Sequence, residues 1–147
     1  HFARSLVASG HCSDMKQAFK RYLAAGKPAY VGGQWAELGE AIEWIHDAGG
    51  LAVLAHPLRY RMTAAWRRRT LGAFRMLGGD AVEVCCGGAQ MADIQTSAAE
   101  AVEHGLMGSA GSDFHEPAQR WLRLGGLAPM PATMTPELTR WAASGRV

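Results

Sequence analysis

Apolar positions along the chain switch between two periods. Met15, Ala18, Phe19, Tyr22 and Leu23 fall at the i, i+3, i+4, i+7, i+8 spacing of an amphipathic helix. Ser13 is placed to cap it, with Gln17 close behind. Gly26 and then Pro28 end it. Leu38, Ala41, Ile42 and Ile45 make the stripe of a second helix over about 36–48, closed by Gly49 and Gly50. Leu51 to Ala55 is then a continuous apolar run of strand length. Such a run suits a strand buried on both faces, as in a parallel sheet. It stops at His56-Pro57, because proline cannot continue a central strand. The alternation repeats with a helix from Thr63 to Leu77, a strand from Ala81 to Cys85, a helix over 90–104 and a strand from Leu106 to Ala110. Thr135 and Pro136 are a good cap and first-turn pair for a last helix through Trp141.

From residue 36 onward the order is therefore α-β-α-β-α-β, which implies α/β architecture with a parallel sheet or a (β/α) barrel. Three strands make an incomplete barrel. The first 35 residues stand outside this alternation: they open on a helix at His1-Phe2-Ala3-Arg4, and residues 27–35 read as a loop. The expected division is thus 1–35 and 36–147. A chain that opens inside a helix, without Met, is expected to be a fragment.

Composition narrows this picture only a little. The 147 residues suffice for one ordinary domain, and a formal charge of +2 is too weak to argue for nucleic acid. The local run Arg67-Arg68-Arg69 reads as the solvated face of a helix rather than an RNA patch, with Trp66 packing into the core. Cys12 and the adjacent pair Cys85-Cys86 make a poor disulfide framework, so reduced, inert thiols in a cytoplasmic protein are expected. No apolar run approaches the roughly 18 residues of a membrane span.

The candidate chemistry sits just past the predicted strand ends, where α/β folds collect functional residues. His56 follows the first strand directly. Asp113 and His115 follow the third. In an extended chain residues i and i+2 point the same way, so a carboxylate and an imidazole could reach one site together. His and Asp with open water positions suit zinc, manganese or iron. His-Pro after a strand also reads as a plain turn, and Asp-x-His is a common spacing, so composition and spacing leave both alternatives open.

A resemblance goes further. Gly49 to Tyr60, containing Ala55-His56-Pro57-Leu58-Arg59-Tyr60, resembles the AHPxRY segment of the PHP (polymerase and histidinol phosphatase) phosphoesterases. Gly108 to His115 resembles their last motif, GSDxH. His1 to Arg4 and Gly26 to Val31 resemble the helical insertion of the subgroup holding 3′,5′-nucleotide bisphosphate phosphatases and 5′→3′ exoribonucleases. The resemblance implies a partial, distorted (β/α)7 barrel with a helical, cap-like insertion over 1–35. It implies metal-dependent hydrolysis of nucleoside 3′,5′-bisphosphates or of short RNA 5′ ends. His56, Asp113 and His115 match three ligands of a trinuclear site, and Asp113 would also orient the attacking hydroxide. Manganese is the expected metal, with zinc, iron or magnesium as alternatives. Arg59, Lys27, His1 and Tyr30 would contact the substrate. In the subgroup a His often follows Gly-Gly after the middle strand; here Gly87-Gly88 is followed by Ala89, so one polar contact is lost.

The remaining ligands of that family lie in its N-terminal half, in motifs this sequence does not contain. This chain is thus expected to work as part of a longer one, completed by the missing half of the barrel or self-associating through exposed edges. The alternatives are a non-catalytic fragment that binds a metal or a partner, and a different phosphatase of the family, such as one acting on histidinol phosphate. The helical segment 1–35 argues against the latter.

Overall fold

The computed structural model describes residues 1–115 and 122–134. The chain divides into two compact units, His1–Ala36 and Glu37–Val147. The last helix expected from Thr135 lies outside the described residues.

The first unit is short and helical. Helix α1 (Phe2–Ala8) is followed by α2 (Met15–Ala18), which runs on as a π-helical turn through Phe19–Leu23. The cap of α2 is Asp14 rather than the expected Ser13: its Oδ1 accepts from the Gln17 N–H at 2.8 Å. Ser13 takes a supporting role, its N–H donating to Gln17 Oε1 at 3.1 Å and its hydroxyl to Asp14 at 3.0 Å. The shorter reach of the carboxylate to N3 decides which of the two neighbours caps. Ala3, Cys12 and Ala18 are buried, with Leu6, Val7, Tyr22 and Leu23 packed around them.

The second unit alternates strands and helices as the sequence implies. Helix α3 (Leu38–Asp47) leads into β1 (Val53–Leu54), α4 (Ala64–Met76) into β2 (Ala81–Cys86), and α5 (Met91–Glu103) into β3 (Met107–Gly111). The strands form one parallel sheet in the order β1-β2-β3. Thr63 caps α4, its hydroxyl accepting from the Trp66 N–H at 3.2 Å. Gly78, at φ 98°, ends the same helix in a conformation that a β-carbon would oppose. The core collects Ile42, Leu71, Phe74, Val82, Val84 and Ile94 around the sheet.

Three packing expectations are corrected. The run 51–55 yields a two-residue strand, and Val53 is 38% exposed, because β1 is an edge strand among the described residues. Double-sided burial belongs instead to β2, all six residues of which are buried between two neighbours. On α3 only Ile42 of the expected stripe is buried, while Leu38 and Ile45 stay exposed. On α4 the roles of neighbours invert. Trp66 is 56% exposed, whereas Arg67 turns inward to a bidentate pair with buried Glu100, at 2.7 and 2.8 Å.

At the N-terminal ends of the strands, Asp80 joins α3 to the sheet. Its Oδ2 accepts from the Ala52 N–H at 2.8 Å and meets His46 Nε2 at 2.7 Å.

Candidate active site

The opposite, C-terminal ends of the strands carry the candidate chemistry. Just after β1 the backbone turns sharply: His56 adopts φ 32°, ψ 57°, and Pro57–Arg59 forms a single 3-10 turn. A left-handed, non-glycine residue immediately before proline is strained, at a cost of about 1–3 kcal/mol. The strain is held by a hydrogen bond from the His56 N–H to Glu83 Oε2 at 2.8 Å. The imidazole packs against Tyr60, with ring centroids 5.5 Å apart. Its Nδ1 is buried and has no hydrogen-bond partner.

Beyond β3, Asp113 is the second left-handed non-glycine residue, at φ 54°. The extended geometry assumed for Asp113-Phe114-His115 is therefore not the one adopted. His115 is instead tied back to its neighbour's backbone, its Nδ1 lying 2.8 Å from the Asp113 carbonyl oxygen. A carbonyl only accepts, so Nδ1 is the donor, and in the neutral ring Nε2 carries the lone pair. That is the tautomer a metal-binding histidine uses.

Arg59 links the two strand ends. Its guanidinium donates to Asp113 Oδ2 through Nη1 and to the Gly87 carbonyl oxygen at 2.6 Å through Nη2. Gly87 is where β2 runs out against β3: its N–H donates to Gly111 at 3.0 Å, and a β-carbon there would lie 2.0 Å from the Ser112 carbonyl oxygen. Only glycine allows this approach.

Glu83, in the middle of β2, is the functional-site residue that the motif reading missed. It is 9% exposed, and burial pushes its carboxyl above the usual carboxylate range. Nearby Asp113 pushes the same way, while the hydrogen bond from the His56 N–H and the Arg59 charge pull it down. A register shift between Glu83 and Cys85 kinks the strand at this point, as bulges beside functional sites do. The available signal was one acid in the apolar run Ala81–Cys86, since a lone carboxylate in a buried strand is rare without a partner.

A cavity of about 180 Å³ opens on this rim, lined by His56, Arg59, Glu83, Cys86, Asp93 and Ser97 among others. Burial raises the thiol pKa of both Cys85 and Cys86, which suits inert thiols. His1, Lys27 and Tyr30 belong to the first unit, where all three are exposed.

An unpartnered, buried imidazole nitrogen at His56, a carboxylate at Asp113 and an available Nε2 at His115 are the right donors for a borderline metal. They are not gathered to one point. Among the described residues, no group of three or more His, Cys, Asp or Glu side chains could hold a metal ion. The donor types thus suit a metal, while the described residues alone do not assemble a site for one.

No protein-family model matches the chain. It is 43% identical over 136 residues to a 3′,5′-nucleoside bisphosphate phosphatase of Chromobacterium violaceum, across 92% of this chain and 48% of the relative. It is 49% identical to a 5′-3′ exoribonuclease of Haemophilus influenzae and 46% identical to the 5′-3′ exoribonuclease Rnm of Escherichia coli, over 85% and 90% of this chain and 45% of each relative. A solved structure described as an amidohydrolase of C. violaceum, with bound sulfate and no metal, superposes at TM-score 0.81 with 42% identity, across 97% of this chain and 49% of that one. One described as a metal-dependent phosphoesterase of Bifidobacterium adolescentis superposes at TM-score 0.67 with 26% identity, across 98% and 48%. The chain is thus homologous to phosphatases and exoribonucleases, and it spans about half the length of the curated relatives it matches.

Proposed function

We propose that this chain carries the C-terminal share of the active site of a metal-dependent phosphoesterase acting on nucleoside 3′,5′-bisphosphates or on the 5′ ends of short RNA. The observation that carries the reading is the rim itself. There a buried imidazole nitrogen without a partner stands just past β1, and an arginine three residues on pairs with an aspartate just past β3. The names of the homologues, a 3′,5′-nucleoside bisphosphate phosphatase and 5′-3′ exoribonucleases, support the substrate class. The three-stranded sheet is then the C-terminal part of a distorted (β/α)7 barrel, with residues 1–35 as a cap-like insertion.

His56, Asp113 and His115 would hold divalent metal, manganese first, together with donors from the rest of a longer chain. Bound metal supplies Lewis acidity at phosphorus and offsets phosphoryl charge. Asp113 would also orient the attacking water, whose oxygen forms the new bond to phosphorus as the ester P–O bond breaks and whose proton passes to the leaving oxygen. Arg59, two of whose five N–H groups serve Asp113 and the Gly87 carbonyl, would offer the remaining ones to a phosphate dianion. His1, Lys27 and Tyr30 are the candidate contacts from the insertion. A cytoplasmic location agrees with the free thiols, and no helix among the described residues is long and apolar enough to cross a membrane.

The test is phosphate release from a 3′,5′-bisphosphate with Mn²⁺ by the intact protein, compared with Asp113→Asn. Activity retained in the variant sinks the assignment of Asp113. A second reading, a chain that binds metal or a partner without catalysis of its own, draws support from the incomplete donor set among the described residues. Release of phosphate by residues 1–147 alone would overturn it.

A further inference from the structure

The geometry points to Glu83 as the positioning residue of this site, a single buried carboxylate that sets where His56 and the end of β3 can stand. We infer that Glu83 acts through a hydrogen bond and not as a ligand. The inference rests on His56 and Asp113 being metal ligands, as proposed above.

Three observations converge on it. First, Glu83 Oε2 accepts the N–H of His56 at 2.8 Å, so the carboxylate holds the backbone at the left-handed residue before Pro57. Without an acceptor, that half-buried N–H would lose its partner and the strained conformation its support. Second, the other carboxylate oxygen faces β3. A β-carbon on Gly111 would lie 2.5 Å from Glu83 Oε1, so a side chain at residue 111 would push the carboxylate out of this position. Two residues further on stands Asp113, whose charge acts on Glu83. Third, the strand shifts register between Glu83 and Cys85, so the fold departs from regular pairing where this side chain is aimed. Glu83 is therefore braced between the end of β1 and the end of β3, one holding His56 and the other leading to Asp113. Partners of this kind that orient metal ligands are worth about 10- to 100-fold in metal affinity.

The test is Mn²⁺ titration of the metal-depleted intact protein by calorimetry. Glu83→Ala is expected to weaken Mn²⁺ binding by about 10- to 100-fold. Glu83→Gln keeps an acceptor for the His56 N–H at roughly half the strength, and is expected to lose only about fivefold. Gly111→Ala changes no polar group but displaces the carboxylate, and should reproduce most of the alanine effect. If Glu83→Ala does not fold, the Gln and Gly111→Ala variants carry the test, with the amide resonance of His56 reporting whether its hydrogen bond survives. Wild-type affinity in folded Glu83→Ala, or in a Gly111→Ala variant whose His56 amide has shifted, overturns the inference. So does a Gln variant as weak as the alanine one, since that would assign the effect to charge. His56→Ala separates the two levels: full Mn²⁺ affinity there condemns the ligand reading itself, whatever the Glu83 variants do.

Discussion

Arg59 holds Asp113 and the Gly87 carbonyl oxygen with the two arms of one guanidinium, binding the ends of β2 and β3 to the turn after β1. The Arg59 side chain is 41% exposed, so water and salt screen the pair and its share of stability is about 1 kcal/mol or less. Its proposed role is instead to lend its remaining donors to a phosphate in the cavity that it lines. Arg59→Ala in the intact protein is expected to leave the melting temperature nearly unchanged while raising KM for a phosphoester about 10- to 100-fold, the loss of one charge-assisted hydrogen-bonded contact. Arg59→Lys keeps the charge but not the fork, and should fall between the two. An unchanged KM in the alanine variant would remove Arg59 from substrate binding.

Arg67 and Glu100 form a pair of the opposite kind. Their side chains are 11% and 5% exposed, and two short hydrogen bonds join them. The hydrogen bonds to Glu100 raise the Arg67 pKa, with burial working against them. Removing one partner leaves a charge in the interior of the α4–α5 contact. Arg67→Met is expected to cost about 3 kcal/mol in denaturant unfolding, and a double Arg67→Met, Glu100→Leu replacement clearly less. Equal losses in the single and double variants would show that packing and not charge governs the site. Arg68 lies 3.7 Å from Glu100 and is 56% exposed, so it replaces little of what Arg67 supplies.

Asp14 gives the first unit a pH dependence of known sign. The Gln17 N–H, and then the Ser13 hydroxyl, hold its carboxyl below the ordinary value of 3.8. The unfolded chain therefore takes up a proton before the folded one does. The stabilisation is complete above 3.8 and is lost as pH falls below it. Titration followed at the Gln17 amide should show this cap opening in that range, and Asp14→Asn, a neutral cap, should abolish the dependence. A Gln17 amide that ignores acid in the native protein would contradict the cap.

The order of helices and strands in the second unit was legible because its two periods are clean and glycines close its helices. The approximate rim was legible too, since His56, Asp113 and His115 each follow a strand. What the chain did not announce is set by tertiary context. Whether Val53 is covered depends on a neighbour that β1 lacks among the described residues, not on its own apolar run. The inward turn of Arg67 and outward turn of Trp66 depend on Glu100, 33 positions away. The left-handed backbone of Asp113 replaces the extended spacing from which its pairing with His115 was argued. Glu83 was visible as a lone acid in a buried strand, but its partner is a backbone N–H, which no motif encodes.

Among the described residues the outer edge of β1 is open, which leads to a last expectation about residues 1–147 made alone. Val53 is 38% exposed on that edge, and Leu38 and Ile45, one heptad apart on α3, are 39% and 38% exposed to either side of buried Ile42. An edge strand with unpaired backbone groups beside apolar side chains is a template for another chain. In a longer protein the remainder of the barrel would cover it; without that cover, a second copy is the nearest substitute. Sedimentation at increasing concentration should show dimers or larger species. Val53→Lys, which places a charge on the edge without touching the core, should shift them toward monomer. A monodisperse monomer for the unmodified chain at all concentrations would mean that the edge is already protected, and that the proposed closure by further strands is not needed to keep this half in solution.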